Sequence, residues 1–138
     1  MIHLTRKETF SAAHGMFRVD WSLKKNEKVF GKCANPNFHG HTYSIFVTVK
    51  GNPNPETGYI VDLKKLSSVI KELVINKCDH KNLNKDVDFL KGVLPSTENI
   101  AIAIWNQLKT HIESLNCQLH CIKISESENN FSEYFGDQ

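Results

Sequence analysis

Three histidines and a cysteine stand out as residues able to do chemistry: His14, and the stretch Cys33-Ala34-Asn35-Pro36-Asn37-Phe38-His39-Gly40-His41. Side chains alternate along a β-strand, so His39 and His41 project from one face of a strand that continues through Tyr43, Ile45, Val47 and Val49. His14 closes a second run in which Ile2, Leu4, Phe10 and Ala12 share its parity, so it too can point inward. Two imidazoles from one strand and one from a neighbour fill three corners of a tetrahedron. The fourth corner stays open for water or substrate, the arrangement of a catalytic rather than a structural zinc ion. Gly40 removes the side chain between two of the ligands and permits close backbone approach. The turn-rich Cys33–Pro36 entry can bring a thiol back over the site. A hydrogen-bonded or solvated pair of histidines beside a turn is the competing reading of His39 and His41 alone. A cupin-type site also opens on His-x-His, but it wants a glutamate four or five residues later, where this chain has Ile45 and Phe46.

The elements that must position these groups follow from periodicity. Ile2 to His14 alternates as a strand, interrupted by Arg6 and Glu8, and His39 to Lys50 is a second strand. Val19 to Asn37 is polar and irregular, with lysines at 24, 25, 28 and 32, and reads as a long loop. Asp62 is an N-cap for a helix whose Leu63, Leu66, Val69, Ile70, Leu73 and Val74 share a face and which ends near Lys77. A second helix starts at Ser96 or Thr97, with a stripe of Ile100, Ile104, Leu108, Ile112 and Leu115 and Trp105 beside it. A strand from Leu119 to Glu126 and a short one around Phe131 to Phe135 complete the order β-β-α-α-β-β. The expected architecture is α+β: a four-stranded antiparallel sheet with both helices on one face. Such a sheet has two open edges, a physical motive for oligomerisation.

Composition sets the outer bounds. A chain of 138 residues, 40% hydrophobic and 23% charged, is expected to form one domain over residues 1–138 with an ordinary core. A formal net charge of +2 argues for neither nucleic acid nor membrane partners. No basic-then-apolar leader opens the sequence and no apolar run approaches membrane-span length, so the expected compartment is the cytoplasm. Cys33, Cys78, Cys117 and Cys121 contain no Cys-x-x-Cys pair. The last three read as packing residues; Cys33 is the one with chemistry as its leading reading.

Glu126 shares parity with Ile122 and Ile124, at the end of a buried strand face, where a carboxylate is costly unless paired. An exposed strand-end glutamate is the plainer reading. Asp79-His80 is either a polar turn ending a helix or a carboxylate orienting an imidazole. Thr97 and Glu98 sit where helix capping alone would account for them.

Cys33 with His39-Gly40-His41, Pro53-Asn54-Pro55-Glu56-Thr57-Gly58, Cys78-Asp79-His80-Lys81-Asn82-Leu83, Pro95-Ser96-Thr97-Glu98-Asn99 and Glu126-Ser127-Glu128-Asn129-Asn130 occur in this order. Together they resemble the 6-pyruvoyltetrahydropterin synthase family, whose bacterial branch includes 6-carboxytetrahydropterin synthase of queuosine biosynthesis. The resemblance runs from about Phe10 to Gly136. It implies a tunnel fold in which subunit sheets close into a barrel, as a trimer doubled to a hexamer with active sites between subunits. It implies Zn2+ on His14, His39 and His41, with 7,8-dihydroneopterin triphosphate as substrate. It further implies Cys33 as the base, Asp79 and His80 as its relay, Glu126 as the pterin anchor, and Thr97 and Glu98 as further pterin contacts. The Asn-Pro-Asn spacing before the histidines resembles the pyruvoyl branch, which retains the three side-chain carbons and releases triphosphate. The carboxy branch instead cleaves a carbon–carbon bond and releases acetaldehyde. Two positions depart from the family pattern: Gly15-Met16 follows His14 where a basic and then an apolar residue are common, and Phe38 replaces a frequent glycine. Arg18, Lys24, Lys25, Lys28 and Lys32 are candidates for holding triphosphate. A non-catalytic binding module, GTP ring opening and an aldolase are the rival readings. The GTP enzyme normally adds cysteine to its zinc shell, the aldolase lacks zinc, and a mere binder has no need of Cys33, Asp79 and His80 together.

Overall fold

Two 13-residue strands, β1 (Ile2–His14) and β2 (His39–Gly51), pair antiparallel along their whole length, from Ile2 opposite Gly51 to His14 opposite His39. The computed structural model describes residues 1–137. Between the strands lies a short helix, α1 (Leu23–Phe30), followed by a 3₁₀ turn at Gly31–Ala34. After β2 come helix α2 (Leu63–Ile70), a π-helical stretch at Lys71–Ile75, a last turn α3 (Asn76–Cys78) and the two-residue strand β3 (Lys81–Asn82). Helix α4 (Thr97–Glu113) leads into β4 (Gln118–Ser127) and β5 (Asn130–Tyr134).

The α+β reading holds, with a correction to the sheet. It has five strands in the order β3-β1-β2-β4-β5 and is mixed: β3 runs parallel to β1 at Ala12 and Ala13, while the other pairs are antiparallel. Two residues are too few to show a period of two, which is why β3 leaves no signal in the sequence. The expected loop over Val19–Asn37 also contains a helix. It forms around local polar contacts: Ser22 caps it by accepting from Lys25 N–H, and the buried Asn26 side chain accepts from Arg18 N–H and donates to the Arg18 carbonyl.

Alternation along the sheet and the 3.6-residue period of the helices meet in one core. Phe10, Tyr43, Ile45, Val47, Val49, Ile122 and Ile124 pack with Leu66, Ile70 and Val74 of the α2 region and Ile100, Ile104, Leu108 and Ile112 of α4. Each large apolar side chain contributes roughly 1.5–3 kcal/mol on burial, enough for packing to hold the α2 region together through its π-helical interruption. Asp62 caps α2 by accepting from Lys64 N–H, and Ser96 caps α4 by accepting from Asn99 N–H. Among the described residues, no helix is long and apolar enough to cross a membrane.

A candidate metal and substrate site

The register of β1 on β2 sets the histidines side by side. His14 faces His39 as the terminal pair, and His41 lies opposite Ala12. One ligand nitrogen from each histidine lies within 4.8 Å of the others. The rings meet edge to face, with centroids 4.6 Å apart for His14 and His39 and 5.0 Å for each other pair.

His14 is the buried member, 2% exposed, and its Nδ1 lies 2.8 Å from the Pro95 carbonyl. A carbonyl only accepts, so Nδ1 carries the proton and Nε2 keeps its lone pair. That Nε2 is buried and has no hydrogen-bond partner among the described residues. A buried, unprotonated nitrogen beside two more imidazoles fits a metal ion, and a carbonyl holding the other ring nitrogen is the usual support of a metal-binding histidine. Burial lowers the pKa of both His14 and His39, favouring the neutral form that binds metal; neighbouring histidines lower them further. Gly40 matters less than its place between two histidines implies. A Cβ there would meet only the Ala12 carbonyl oxygen, at 3.5 Å, an ordinary contact.

A cavity of about 640 Å³ opens over the histidines, and Cys33, Thr97, Glu98 and Glu126 line it with them. Cys33 is exposed in the 3₁₀ turn, and its carbonyl accepts from Met16 N–H at 2.7 Å. Glu126 stands where the β4–β5 pairing slips: Ser125 pairs with Phe131 and Ser127 with Asn130, so Glu126 bulges out of register. Its Oε2 lies 3.9 Å from His41 Nε2. Thr97 Oγ1 shares a 2.7 Å hydrogen bond with Ser132 Oγ, tying the start of α4 to β5. Ser96 rather than Thr97 does the capping, so the Thr97 side chain faces the cavity for another reason.

Asp79 and His80 are not brought to Cys33 within this cavity. They sit on the far flank of β1, where Asp79 Oδ1 accepts from Ser11 N–H at 2.9 Å and Asp79 Oδ2 lies 2.9 Å from His80 Nδ1. The side chains do face each other. His80 adopts a left-handed backbone conformation (φ 60°), and its N–H bonds the Ser11 carbonyl. It lines a second hollow with Ser11, Gly40, Lys81 and Asp86, and His41 is common to both.

Two neighbours of the histidine cluster are not evident from the sequence. Tyr43 lies under the cluster, its ring edge-on to His14 and His41 at 5.8 and 5.6 Å and stacked on Phe10 at 5.0 Å. Its hydroxyl is buried without a hydrogen-bond partner among the described residues, and burial raises its pKa. Shared parity with His39 and His41 was the available signal. The other is Asn84, whose side chain holds the backbone of Gly15. The two departures from the family pattern also touch. Phe38, in a left-handed conformation (φ 64°), packs on Phe17, and a Cβ on Gly15 would come within 3.1 Å of Phe38 and 2.8 Å of Phe17.

Residues 3–137 match the family model described as 6-pyruvoyl tetrahydropterin synthase. The chain is 43% identical over 134 residues to the 6-pyruvoyl tetrahydrobiopterin synthase of Dictyostelium discoideum, covering 97% of this chain and 96% of that protein. It is 38% identical over 134 residues to the Homo sapiens protein of the same name, covering 97% and 91%. The solved structure of Caenorhabditis elegans 6-pyruvoyl tetrahydropterin synthase superposes with a TM-score of 0.91 at 36% identity, over 99% of this chain and 96% of that one.

Proposed function

The chain belongs to the 6-pyruvoyl tetrahydropterin synthase family, and we propose that it is a zinc-dependent lyase converting 7,8-dihydroneopterin triphosphate to 6-pyruvoyltetrahydropterin with release of triphosphate. The observation that carries this reading is the His14 Nε2 lone pair, buried beside His39 and His41 in a cavity that also holds Cys33 and Glu126. The relatives' shared name supports the pyruvoyl product over the carboxy one.

His14, His39 and His41 hold the metal. Zinc bound there supplies Lewis-acid polarisation of the substrate's side-chain oxygens. The chain's own residues do the remaining work. Cys33 Sγ, exposed at the cavity wall, takes protons from the side-chain carbons as its thiolate. Glu126, with two carboxylate oxygens on a bulged backbone, accepts from adjacent N–H groups of the pterin edge. Thr97 and Glu98 add contacts at the start of α4. Asp79 orients His80 as a relay that reaches the cavity of a neighbouring subunit.

That last role requires assembly. Along β1, β3 pairs with Ala12 and Ala13 and the Asp79-His80 turn holds Ser11, which leaves the outer edge from Ile2 to Phe10 without a strand partner among the described residues, and β5 is the other outer strand. Closing such sheets into a trimeric barrel, doubled to a hexamer, satisfies both edges. The zinc-loaded protein incubated with 7,8-dihydroneopterin triphosphate and followed by mass spectrometry tests the reaction. Triphosphate and a product retaining all side-chain carbons are expected. Acetaldehyde as the main co-product would move the assignment to the carboxy branch, and no turnover would end it.

A further inference from the structure

Strand pairing ends at His14, and the residue that follows is held by an unusual partner. Beyond the His14–His39 pair, β1 has no further main-chain neighbour on β2. On its other side, β3 pairs with Ala12 and Ala13, and Leu83 N–H donates to the Ala13 carbonyl. The ladder is then continued by a side chain. Asn84 Oδ1 accepts from Gly15 N–H at 2.8 Å, and Asn84 Nδ2 donates to the Gly15 carbonyl at 2.9 Å. A carboxamide carries a donor and an acceptor in one plane, so it can take both groups of one residue as a neighbouring strand would. One residue further on, Met16 N–H donates to the Cys33 carbonyl.

The three-residue run His14-Gly15-Met16 therefore joins two functional groups: the buried histidine at one end and the turn bearing the thiol at the other. Its middle residue is the weak point. Glycine restricts its own backbone least of all residues. A side chain added there would force the Phe17 ring to move, because a Cβ would meet Phe17 at 2.8 Å and Phe38 at 3.1 Å. The two Asn84 hydrogen bonds supply the restraint that Gly15 lacks.

We propose that Asn84 is a positioning residue that acts through Gly15 to hold His14 in line with the other two histidines and to set the Cys33 turn against them. The inference rests on the metal-site reading above and assigns a task to a residue outside the cavity lining. It makes the side-chain amide, rather than mere polarity, the requirement. Leucine keeps the approximate size and loses both hydrogen bonds, whereas aspartate keeps the acceptor for Gly15 N–H and loses the donor to the carbonyl.

The test compares Asn84→Leu and Asn84→Asp with the unaltered protein in three measurements: zinc affinity by chelator competition, iodoacetamide alkylation of Cys33 with and without zinc, and steady-state kinetics. Cys33 is the one exposed cysteine, so its alkylation is read directly. Asn84→Leu should bind zinc about 10-fold more weakly, the lower end for loss of a group that supports a metal ligand. The effect of zinc on the Cys33 alkylation rate should shrink, and kcat should fall with KM nearly constant. Asn84→Asp should lie between, and it decides the matter alone if the leucine variant does not fold. Unaltered zinc affinity and an unaltered zinc effect on alkylation in a folded variant would overturn the inference. A failure of the metal reading shows itself differently, as absence of zinc binding by the unaltered protein, and would remove the inference with it.

Discussion

His14 and His80 lie on the two flanks of one strand end in opposite circumstances. His14 is 2% exposed, with one ring nitrogen fixed by the Pro95 carbonyl and the other directed at two more imidazoles. The His80 side chain is 84% exposed, with Nδ1 on Asp79 and the rest of its ring in solvent. Burial narrows what His14 can do: an unprotonated nitrogen in that position, beside two more imidazoles, is suited to coordinate a metal ion. Exposure leaves His80 oriented but unopposed. A carboxylate that turns an imidazole outward prepares it for something the chain does not itself supply, and this is the physical content of the proposal that a neighbouring subunit brings the substrate. One flank gathers three imidazoles that could hold a metal ion, and the other presents an oriented, exposed imidazole.

The comparison is broken most directly at the histidines. His39→Ala and His41→Ala should each abolish zinc binding and turnover together, because two imidazoles cannot replace three on an ion with one coordination position open to substrate. Metal analysis of the purified variants checks this. Full zinc occupancy in the double variant would mean that the cluster is not the site. Cys33→Ala should leave zinc in place and reduce kcat by on the order of 100- to 10,000-fold, the usual contribution of a general base. Mixing Cys33→Ala chains with Asp79→Ala chains sharpens the contrast further. Activity above that of either variant alone is expected if thiol and relay meet across a subunit boundary; no restoration would count against a relay role for Asp79 and His80.

The histidines were legible because strand parity and two short spacings suffice to converge them, and the register from His14–His39 back to Ile2–Gly51 carries that parity without a slip. The place of Cys33 in the same cavity was expected chiefly through a family resemblance, since its approach depends on a 3₁₀ turn and one backbone hydrogen bond to Met16. What holds His14 was not legible at all. Its partner is a carbonyl 81 positions away, and every residue offers a carbonyl, so nothing in the residue type at Pro95 advertises the contact. Asn84 hid for a related reason: asparagine in a run of polar residues reads as turn chemistry until its side chain is seen pairing with Gly15. Helix α1 was missed because a buried asparagine, not an apolar stripe, anchors it.

Glu126 tests the histidine flank for selectivity rather than for metal. Glu126→Gln should weaken pterin binding by roughly 1.5–3 kcal/mol, the scale of a hydrogen bond to a charged group. Zinc content should not change, since the carboxylate lies 3.9 Å from His41 and outside the three-nitrogen cluster. An unaltered dissociation constant, measured with a non-reactive pterin, would return Glu126 to the role of a strand-end carboxylate.

The smallest effect belongs to the exposed flank, where it appears as acid sensitivity. The Ser11 N–H and the His80 ring hold the Asp79 carboxyl below its ordinary pKa, the backbone hydrogen bond being the larger cause. A carboxyl with a depressed folded-state pKa binds protons less readily in the folded than in the unfolded chain. Its contribution is therefore complete above the unfolded value of about 3.9 and is lost as pH falls through the lower folded value. Asn at this position keeps an oxygen for Ser11 N–H but has no charge to lose. Urea unfolding of the unaltered protein and Asp79→Asn should thus differ by a small, constant margin from pH 7 to about pH 5. The margin should narrow as the pH is taken below about 4. A difference that stays constant through the acid range would show that the carboxylate charge plays no part in holding β1 to the segment that carries His80.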